Sequence, residues 1–361
     1  MKSIPHTTFM HLTFWAILLL VLTACSGGTP AATLTPTLRV TPTQITPPAP
    51  TEDLSGLSPE AITTLRSLEK LDDYPLYVMV YSGGYDYPQT WSILPEGSDF
   101  SCSLFAAMGE PGEMLYGRNF DWDFSPALLL FTDPPDGYAS VSMVDLTFLG
   151  FSPATARSLN DLPLEERTAL LSAPSMPFDG MNEYGLTIAM AAVPDAYLDD
   201  ASYDASRPTI GSIGIIREVL DHARDVDEAM ALFEQYNIDF SGGPPIHYLI
   251  ADPGGTAVLV EFYQGEMVTL PNEAPWHLAT NHLRCIAEGN GGCERYRTMS
   301  DQLSASNGQL DPPTAMQLLS EVAQGMTQWS AVYDMTSGDI SVVVGQFYET
   351  VYSFHLDQMR P

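Results

Sequence analysis

The sequence predicts an α+β protein built from two antiparallel sheets with helices on their outer sides. Two observations carry this. The chain runs strands, then a helix pair, then strands, then a second helix pair. And 45% of its 361 residues are hydrophobic, enough for a sizeable buried core.

The elements follow in order. Ser58-Pro59 opens a helix with a capping hydroxyl and a proline in the first turn, and Ile62, Leu65, Leu68 and Leu71 line one of its faces. LYVMVYS, Leu76 to Ser82, reads as a strand. SCSLFAAM and EMLYGRNF are apolar runs joined by Gly109-Glu110-Pro111-Gly112, a β-hairpin that returns Arg118 and Asp121 to Cys102. Ala127 to Phe131 and Tyr138 to Phe148 are strands separated by Asp133-Pro134-Pro135-Asp136-Gly137. Leu162 to Leu171 reads as a helix and Leu186 to Val193 as a buried strand. Helices follow over Ile213 to Arg224 and from Asp225 to near Tyr236, the second started by the capping-box-like Asp225-Val226-Asp227-Glu228. A meander of IHYLIA, TAVLVEFY and EMVTL comes next, then a strand over His277 to Thr280. Helices over Glu294 to Leu303 and Pro312 to Gln324 precede a last hairpin, Ser330 to Phe347.

Charge and the chain ends bound the function. Forty-five acidic and 14 basic residues give a net charge of −31, which repels polyanions and argues against nucleic acid as the partner. Lys2, the apolar run Phe14 to Leu22 and Leu22-Thr23-Ala24-Cys25 resemble a bacterial lipoprotein signal, with Cys25 carrying the lipid. Nine apolar residues are too few to span a bilayer, so the run is an export signal; an ordinary secretory signal is the alternative. Thr and Pro dominate residues 26–56, a disordered or polyproline-like tether. The expected organisation is a signal over 1–25, the tether over 26–56, a helix-strand leading segment over 57–101 and a catalytic domain over 102–361. The leading segment is either a propeptide or the small subunit of a cleaved enzyme. Cys285 and Cys293 flank the Gly-rich IAEGNGG, which in an exported chain reads as a disulfide closing a surface loop. With His282 they supply too few soft ligands for a metal.

The spacing of Cys102 to the Gly117 to Trp122 run GRNFDW, with Arg118 sixteen and Asp121 nineteen residues on, resembles the choloylglycine hydrolase family of linear amide hydrolases. FDGMNEYGL (Phe178 to Leu186), HYLIADPGGTAVLVEF (His247 to Phe262) leading to ATNH (Ala279 to His282), and ERY (Glu294 to Tyr296) follow in the family's order. The resemblance implies the four-layer αββα sandwich of the N-terminal nucleophile hydrolases. It also implies a cysteine that becomes the first residue of the mature chain and uses its own α-amine as base. The amine's reference pKa of about 7.7 to 8.0 is matched to about 8.5 for a thiol, so neither a histidine nor a cofactor is required. None of the seven histidines lies in a GxSxG, HExxH or cysteine-protease signature.

By resemblance, Arg118 hydrogen-bonds near the sulfur and helps order the substrate, Asp121 orients the α-amine or shares its proton, Asn281 donates to the tetrahedral oxyanion and Arg295 braces the site. Trp122, Phe124 and Phe131 suit an apolar acyl group, though each could equally be core. Asn182 more readily shapes the turn before Gly185 than touches substrate. Two departures stand out. Ala192 sits where bile salt hydrolases carry a second asparagine, which puts bile-salt specificity in doubt. And Cys102 lies far from the initiator methionine, so the Ser101-Cys102 bond must be cut, by attack of Cys102 on the Ser101 carbonyl.

The expected protein is thus an exported amidase, lipid-anchored through Cys25 on the extracytoplasmic side of a bacterial membrane. It hydrolyses an N-acylated small molecule through a thioester on Cys102, and its cleaved fragments stay together without a covalent bond. A lipid-anchored solute-binding protein and an acyltransferase using the same thioester are the alternatives.

Overall fold

In the computed structural model, described for residue 54 and residues 56–85, 101–110, 113–193, 203–241, 243–287, 289 and 291–359, the expected elements recur with few changes. The expected signal, Cys25 and nearly all of the tether lie outside the described residues. Helix α1 (Pro59–Arg66) is capped by Ser58, whose hydroxyl accepts from the Ala61 amide. It is shorter than expected, because Glu69–Asp72 forms an edge strand, β1, antiparallel to β2 (Leu76–Tyr81). Next come β3 (Ser101–Glu110), β4 (Glu113–Asp121), β5 (Ala127–Thr132) and β6 (Ser140–Asp145). The helix expected over Leu162 to Leu171 is instead 3₁₀, over Leu164–Ser175, with Pro174 inside it. Its buried Leu164, Leu170 and Ala173 recur in multiples of three, a stripe that suits three residues per turn rather than 3.6.

The chain continues through β7 (Asp179–Asn182), β8 (Thr187–Ala192), the short β9 (Thr209–Gly211), α2 (Gly214–His222) and α3 (Val226–Phe233). Asp225 caps α3 by accepting from the Glu228 amide at 2.9 Å, as its sequence position predicted. The rest is β10 (Asn237–Asp239), β11 (Ile246–Ala251), β12 (Ala257–Tyr263), β13 (Glu266–Pro271), β14 (Trp276–Ala279), α4 (Glu294–Ser306), α5 (Pro312–Glu321), β15 (Thr327–Asp334), β16 (Asp339–Val344) and β17 (Tyr352–His355). The parallel β9–β10 ribbon and the edge strand β17 were not foreseen.

Two sheets result. One has nine strands in the order β1-β2-β5-β6-β7-β8-β11-β12-β13, the other six in the order β14-β3-β4-β15-β16-β17. Their facing sides share one core, to which β3 gives Cys102, Leu104, Ala106 and Met108. The alternate residues Phe105 and Ala107 face the other way, into a second core with Met299 and Leu303 of α4 and Leu318 and Leu319 of α5. On the outer side of the nine-stranded sheet, α2 buries Ile215, Ile216, Val219 and Leu220. Its fully buried Arg217 pairs with Asp221 at 3.0 Å and donates to the hydroxyls of Ser140 and Ser142 on β6. The layers are therefore helix, sheet, sheet, helix: the αββα sandwich.

Candidate active site

The β3–β4 hairpin sets Cys102 opposite Phe120 and Leu104 opposite Arg118, which brings the guanidinium Nη2 to 3.8 Å from the Cys102 sulfur. A side chain at Gly117 could not fit, since a Cβ there would lie 2.3 Å from the Phe105 ring. Arg118 is fully buried, over the rings of Phe120 and Trp329 at 4.8 and 5.6 Å. Its Nη1 donates to the Phe178 carbonyl at 3.0 Å and to Asp179 on β7 of the facing sheet. Asp179 is held in turn by the Tyr333 hydroxyl and by the Trp329 indole at 3.3 Å. Burial alone would lower the arginine's pKa, but Asp179 and Cys102 outweigh it, so the cation is secure.

On the other flank, β14 pairs with β3 so that Ala279 faces Leu104, and continuing that register carries Asn281 to Cys102. The Cys102 amide donates to Asn281 Oδ1 at 2.6 Å, while Asn281 Nδ2 donates to the Ala192 carbonyl at 2.8 Å. Arg295, in the first turn of α4, binds the same strand from the helix side. It donates to the Cys102 carbonyl, to Ser103 Oγ at 2.9 Å, to Ser101 Oγ at 3.2 Å and to Asn281 Oδ1 at 3.0 Å.

Cys102, Arg118, Asp121, Asn281 and Arg295 therefore converge, and in the intact chain two of them make contacts other than those expected at a free α-amine or an oxyanion. Asn281, not Asp121, holds the Cys102 nitrogen, because Asp121 lies opposite Ser101 and its carboxylate accepts from Thr327 Oγ1. The Asn281 amide expected at the oxyanion donates, in the intact chain, to the carbonyl of Ala192. Asp121 Oδ2 is buried without a hydrogen-bond partner among the described residues and lies 3.9 Å from Arg295 Nη1. Burial pushes the Asp121 carboxyl up to about 6, opposed by Thr327, Arg295 and Arg118. The Cys102 thiol, 2% exposed, is also pushed up by burial, against the pull of Arg118.

Three further expectations are corrected. Phe131 is a core residue of β5, packed at 6.3 Å against Phe354 of β17, four strands from β3. Phe124 sits edge-on to Tyr74 at 5.6 Å and under the Arg157 guanidinium at 4.2 Å, contacts that account for it without the site. Cys285 and Cys293 are free thiols. Burial and a hydrogen bond to Glu261 push Cys285 up to about 12, and Cys293 accepts from Thr280 Oγ1 at 3.5 Å. Trp122 is buried in the inter-sheet core beside Asp121. Asn182 behaves as expected, accepting from the Tyr184 and Leu186 amides around Gly185, whose φ is +77°. Among the described residues no group of three or more His, Cys, Asp or Glu side chains is placed to hold a metal.

The sequence reading passed over Asp179, Thr327 and Trp329. Asp179 stood inside the FDGMNEYGL run, where a carboxylate on a strand of buried residues was the available signal.

Comparison with known proteins agrees with this architecture. A cysteine-to-alanine mutant of conjugated bile acid hydrolase from Clostridium perfringens superposes with a TM-score of 0.51 at 15% identity, over 71% of this chain and 93% of that one. An arginine-to-leucine variant of the same enzyme gives 0.51 at 14%, with the same coverage. Penicillin V acylase from Agrobacterium tumefaciens gives 0.49 at 18%, over 72% and 88%. No curated protein matches the sequence. The fold is that of the N-terminal nucleophile hydrolases, in agreement with the choloylglycine hydrolase resemblance. The chain belongs to the acyl-coenzyme A:6-aminopenicillanic acid acyl-transferase family, whose model matches residues 168–360, more than half of its length. That match includes Asp179, Asn281 and Arg295 and begins after the Cys102 hairpin.

Proposed function

We propose that the protein is a cysteine N-terminal nucleophile amidohydrolase acting on a linear non-peptide C–N bond of an N-acylated small molecule. The observation that carries the reading is the position of Cys102: its sulfur lies against the Arg118 guanidinium while Asn281 and Arg295 hold its backbone nitrogen and carbonyl. Self-cleavage comes first. The Cys102 sulfur adds to the Ser101 carbonyl carbon, the Ser101–Cys102 C–N bond breaks with the proton passing to nitrogen, and water hydrolyses the thioester. Ser101 leaves as a carboxylate and Cys102 gains a free α-amine. That amine then takes the thiol proton, the thiolate attacks the substrate amide, and the amine product departs with the proton. Water releases the acyl group as an acid. A peptide bond and an N-acyl amide are the same functional group, so one site serves both steps.

In this cycle Arg118 favours the thiolate by charge. Arg295 fixes the strand end, and Asn281 is the oxyanion donor once cleavage frees the Cys102 end to move and its amide leaves the Ala192 carbonyl. With an alanine at 192 the hole relies on Asn281 and backbone amides, so the substrate need not be a bile conjugate. Export by the signal over 1–25, lipidation at Cys25 and tethering by 26–56 complete the reading and place the enzyme on the outer side of a membrane.

A second reading, acyl transfer, is favoured by the family itself, which is described as an acyl-transferase. There an amine replaces water in resolving the same thioester. Intact mass with N-terminal sequencing tests the common chemistry: a fragment starting at Cys102 is expected, and Cys102→Ala stays uncleaved and inactive. A wild-type chain intact across Ser101–Cys102 favours a lipid-anchored solute-binding protein instead. Product ratios with added amine then separate transfer from hydrolysis.

A further inference from the structure

A buried pair outside the catalytic set holds the bend that presents Asn281. His247 on β11 and Glu261 on β12 are both fully buried, with His247 Nδ1 3.1 Å from Glu261 Oε1. On its other side, His247 Nε2 lies 2.7 Å from the carbonyl of Thr280, the residue before Asn281. Glu261 reaches the far end of the same bend: Oε1 accepts from the Arg284 amide at 2.7 Å and Oε2 from the Cys285 amide at 2.8 Å. The chain is thus gripped immediately before Asn281 and again three and four residues after it.

The two ring contacts bear on which nitrogens carry protons. A carbonyl only accepts, so Nε2 carries a proton toward Thr280. Glu261 already receives two backbone amides, which suits a carboxylate, and a carboxylate likewise only accepts. Nδ1 must then donate as well, because a lone pair there would face the carboxylate in a buried site. Burial alone would raise the Glu261 carboxyl, but its hydrogen bonds with His247 and with the amides of Arg284 and Cys285 hold it below its ordinary value.

We infer that His247, as a doubly protonated imidazolium paired with the Glu261 carboxylate, is a positioning residue for Asn281 and through it for the Cys102 nitrogen. The inference rests on the amidohydrolase reading for its catalytic consequence. The other ionisable groups around the pair, among the described residues, include Cys285, His277, His282, Tyr296 and the Arg284 guanidinium. Burial, with Arg284 adding to it, lowers His277 and brings His282 to about 4, so neither carries a charge that competes with His247 near neutral pH.

Two measurements test it. In uncleaved Cys102→Ala protein labelled with ¹⁵N-histidine, both ring nitrogens of His247, assigned by comparison with H247Q, should carry protons at neutral pH. One unprotonated nitrogen overturns the inference and leaves the amidase reading standing. In the cleaved enzyme, His247→Gln and Glu261→Gln should each lower kcat on the order of tenfold to a hundredfold with KM within about twofold, the size of effect expected from misplacing a catalytic group. The double variant should be no slower than the slower single one, because the two act as a unit. Unchanged kcat, or losses that multiply, overturns the positioning role. The expected ring signature in a protein that cleaves no N-acyl amide would instead count against the amidase reading alone.

Discussion

Arg118 of the six-stranded sheet and Asp179 of the nine-stranded sheet form an ion pair across the core between them, with both side chains fully buried. The same guanidinium that lies against the Cys102 sulfur is thereby tied to the opposite layer, so the position of the thiol's partner depends on how the sheets pack. Charges out of water are costly unless paired, and removing one partner strands the other.

Asp179→Ala should therefore destabilise the uncleaved chain by about 3 to 5 kcal/mol, and Asp179→Asn by less, since an amide still accepts from Arg118. Urea unfolding of both variants in the Cys102→Ala background measures this. A loss of under about 0.5 kcal/mol for the alanine variant, the range of an ordinary surface change, would mean that water reaches the pair.

Asn281→Ala removes the acceptor for the Cys102 amide and, in the proposed cycle, the oxyanion donor. Turnover should fall on the order of a hundredfold or more with a smaller change in KM. Self-cleavage should slow as well, because Asn281 Oδ1 holds the scissile nitrogen at 2.6 Å. Steady-state kinetics and a time course of fragment appearance check the two. A defect confined to KM would remove Asn281 from the chemistry.

How much of this was legible beforehand depends on the kind of contact. The β3–β4 hairpin was, because apolar runs around a Gly-Pro turn leave one way for Arg118 to meet Cys102. Asp225 as a helix cap was legible for the same reason, a local hydrogen bond with a fixed offset. What failed was register and partner choice across the sandwich. Whether Asp121 or Asn281 meets the Cys102 nitrogen is decided by β14 lying beside β3, a pairing between residues 179 positions apart. Phe131 misled because an aromatic on a buried strand looks alike whether it lines a site or fills a core. The Cys285 and Cys293 thiols misled because spacing says nothing about what else a thiol can bind; here Glu261 and Thr280 are the partners.

Asp121 gives a pH-dependent stability with a definite sign. Its carboxyl is raised from 3.8 to about 6 on folding, so the folded chain binds the extra proton between those values. The folded state is favoured by this group while it is protonated, and that advantage is lost as pH rises from about 4 through 6. A shift of about two units corresponds to ~3 kcal/mol. In Cys102→Ala protein, Asp121→Asn should show a smaller decline in unfolding free energy between pH 4 and 7 than its parent. Asp145, also buried and raised to about 6, remains in both proteins and cancels in the comparison. Parallel pH curves for the two would mean that Asp121 is solvated.

The leading segment gives the last prediction, because its described part is built into the sandwich. Strand β2 pairs in parallel with β5 over six residues and buries Leu76, Tyr77, Val78 and Met79, while α1 buries Leu65. Polar contacts cross to the catalytic part as well: the Tyr77 hydroxyl accepts from the Leu159 amide at 3.2 Å, Asn160 donates to the Leu68 carbonyl at 3.1 Å, and Tyr74 donates to Gln328 at 2.7 Å. Cutting Ser101–Cys102 breaks none of these. Burial of Leu65, Leu76, Val78 and Met79 at about 1.5 to 3 kcal/mol each comes to roughly 6 to 12 kcal/mol holding the fragments together, before ordering costs are subtracted. The leading segment's two strands, β1 and β2, form the edge of the nine-stranded sheet next to β5. The fully cleaved enzyme should therefore remain a non-covalent pair that only denaturant parts. With an affinity tag placed on the leading fragment, the Cys102 fragment and its activity should stay on the resin through washes without denaturant and leave together in urea. Activity wholly in the native wash would show that the leading segment is released after cleavage.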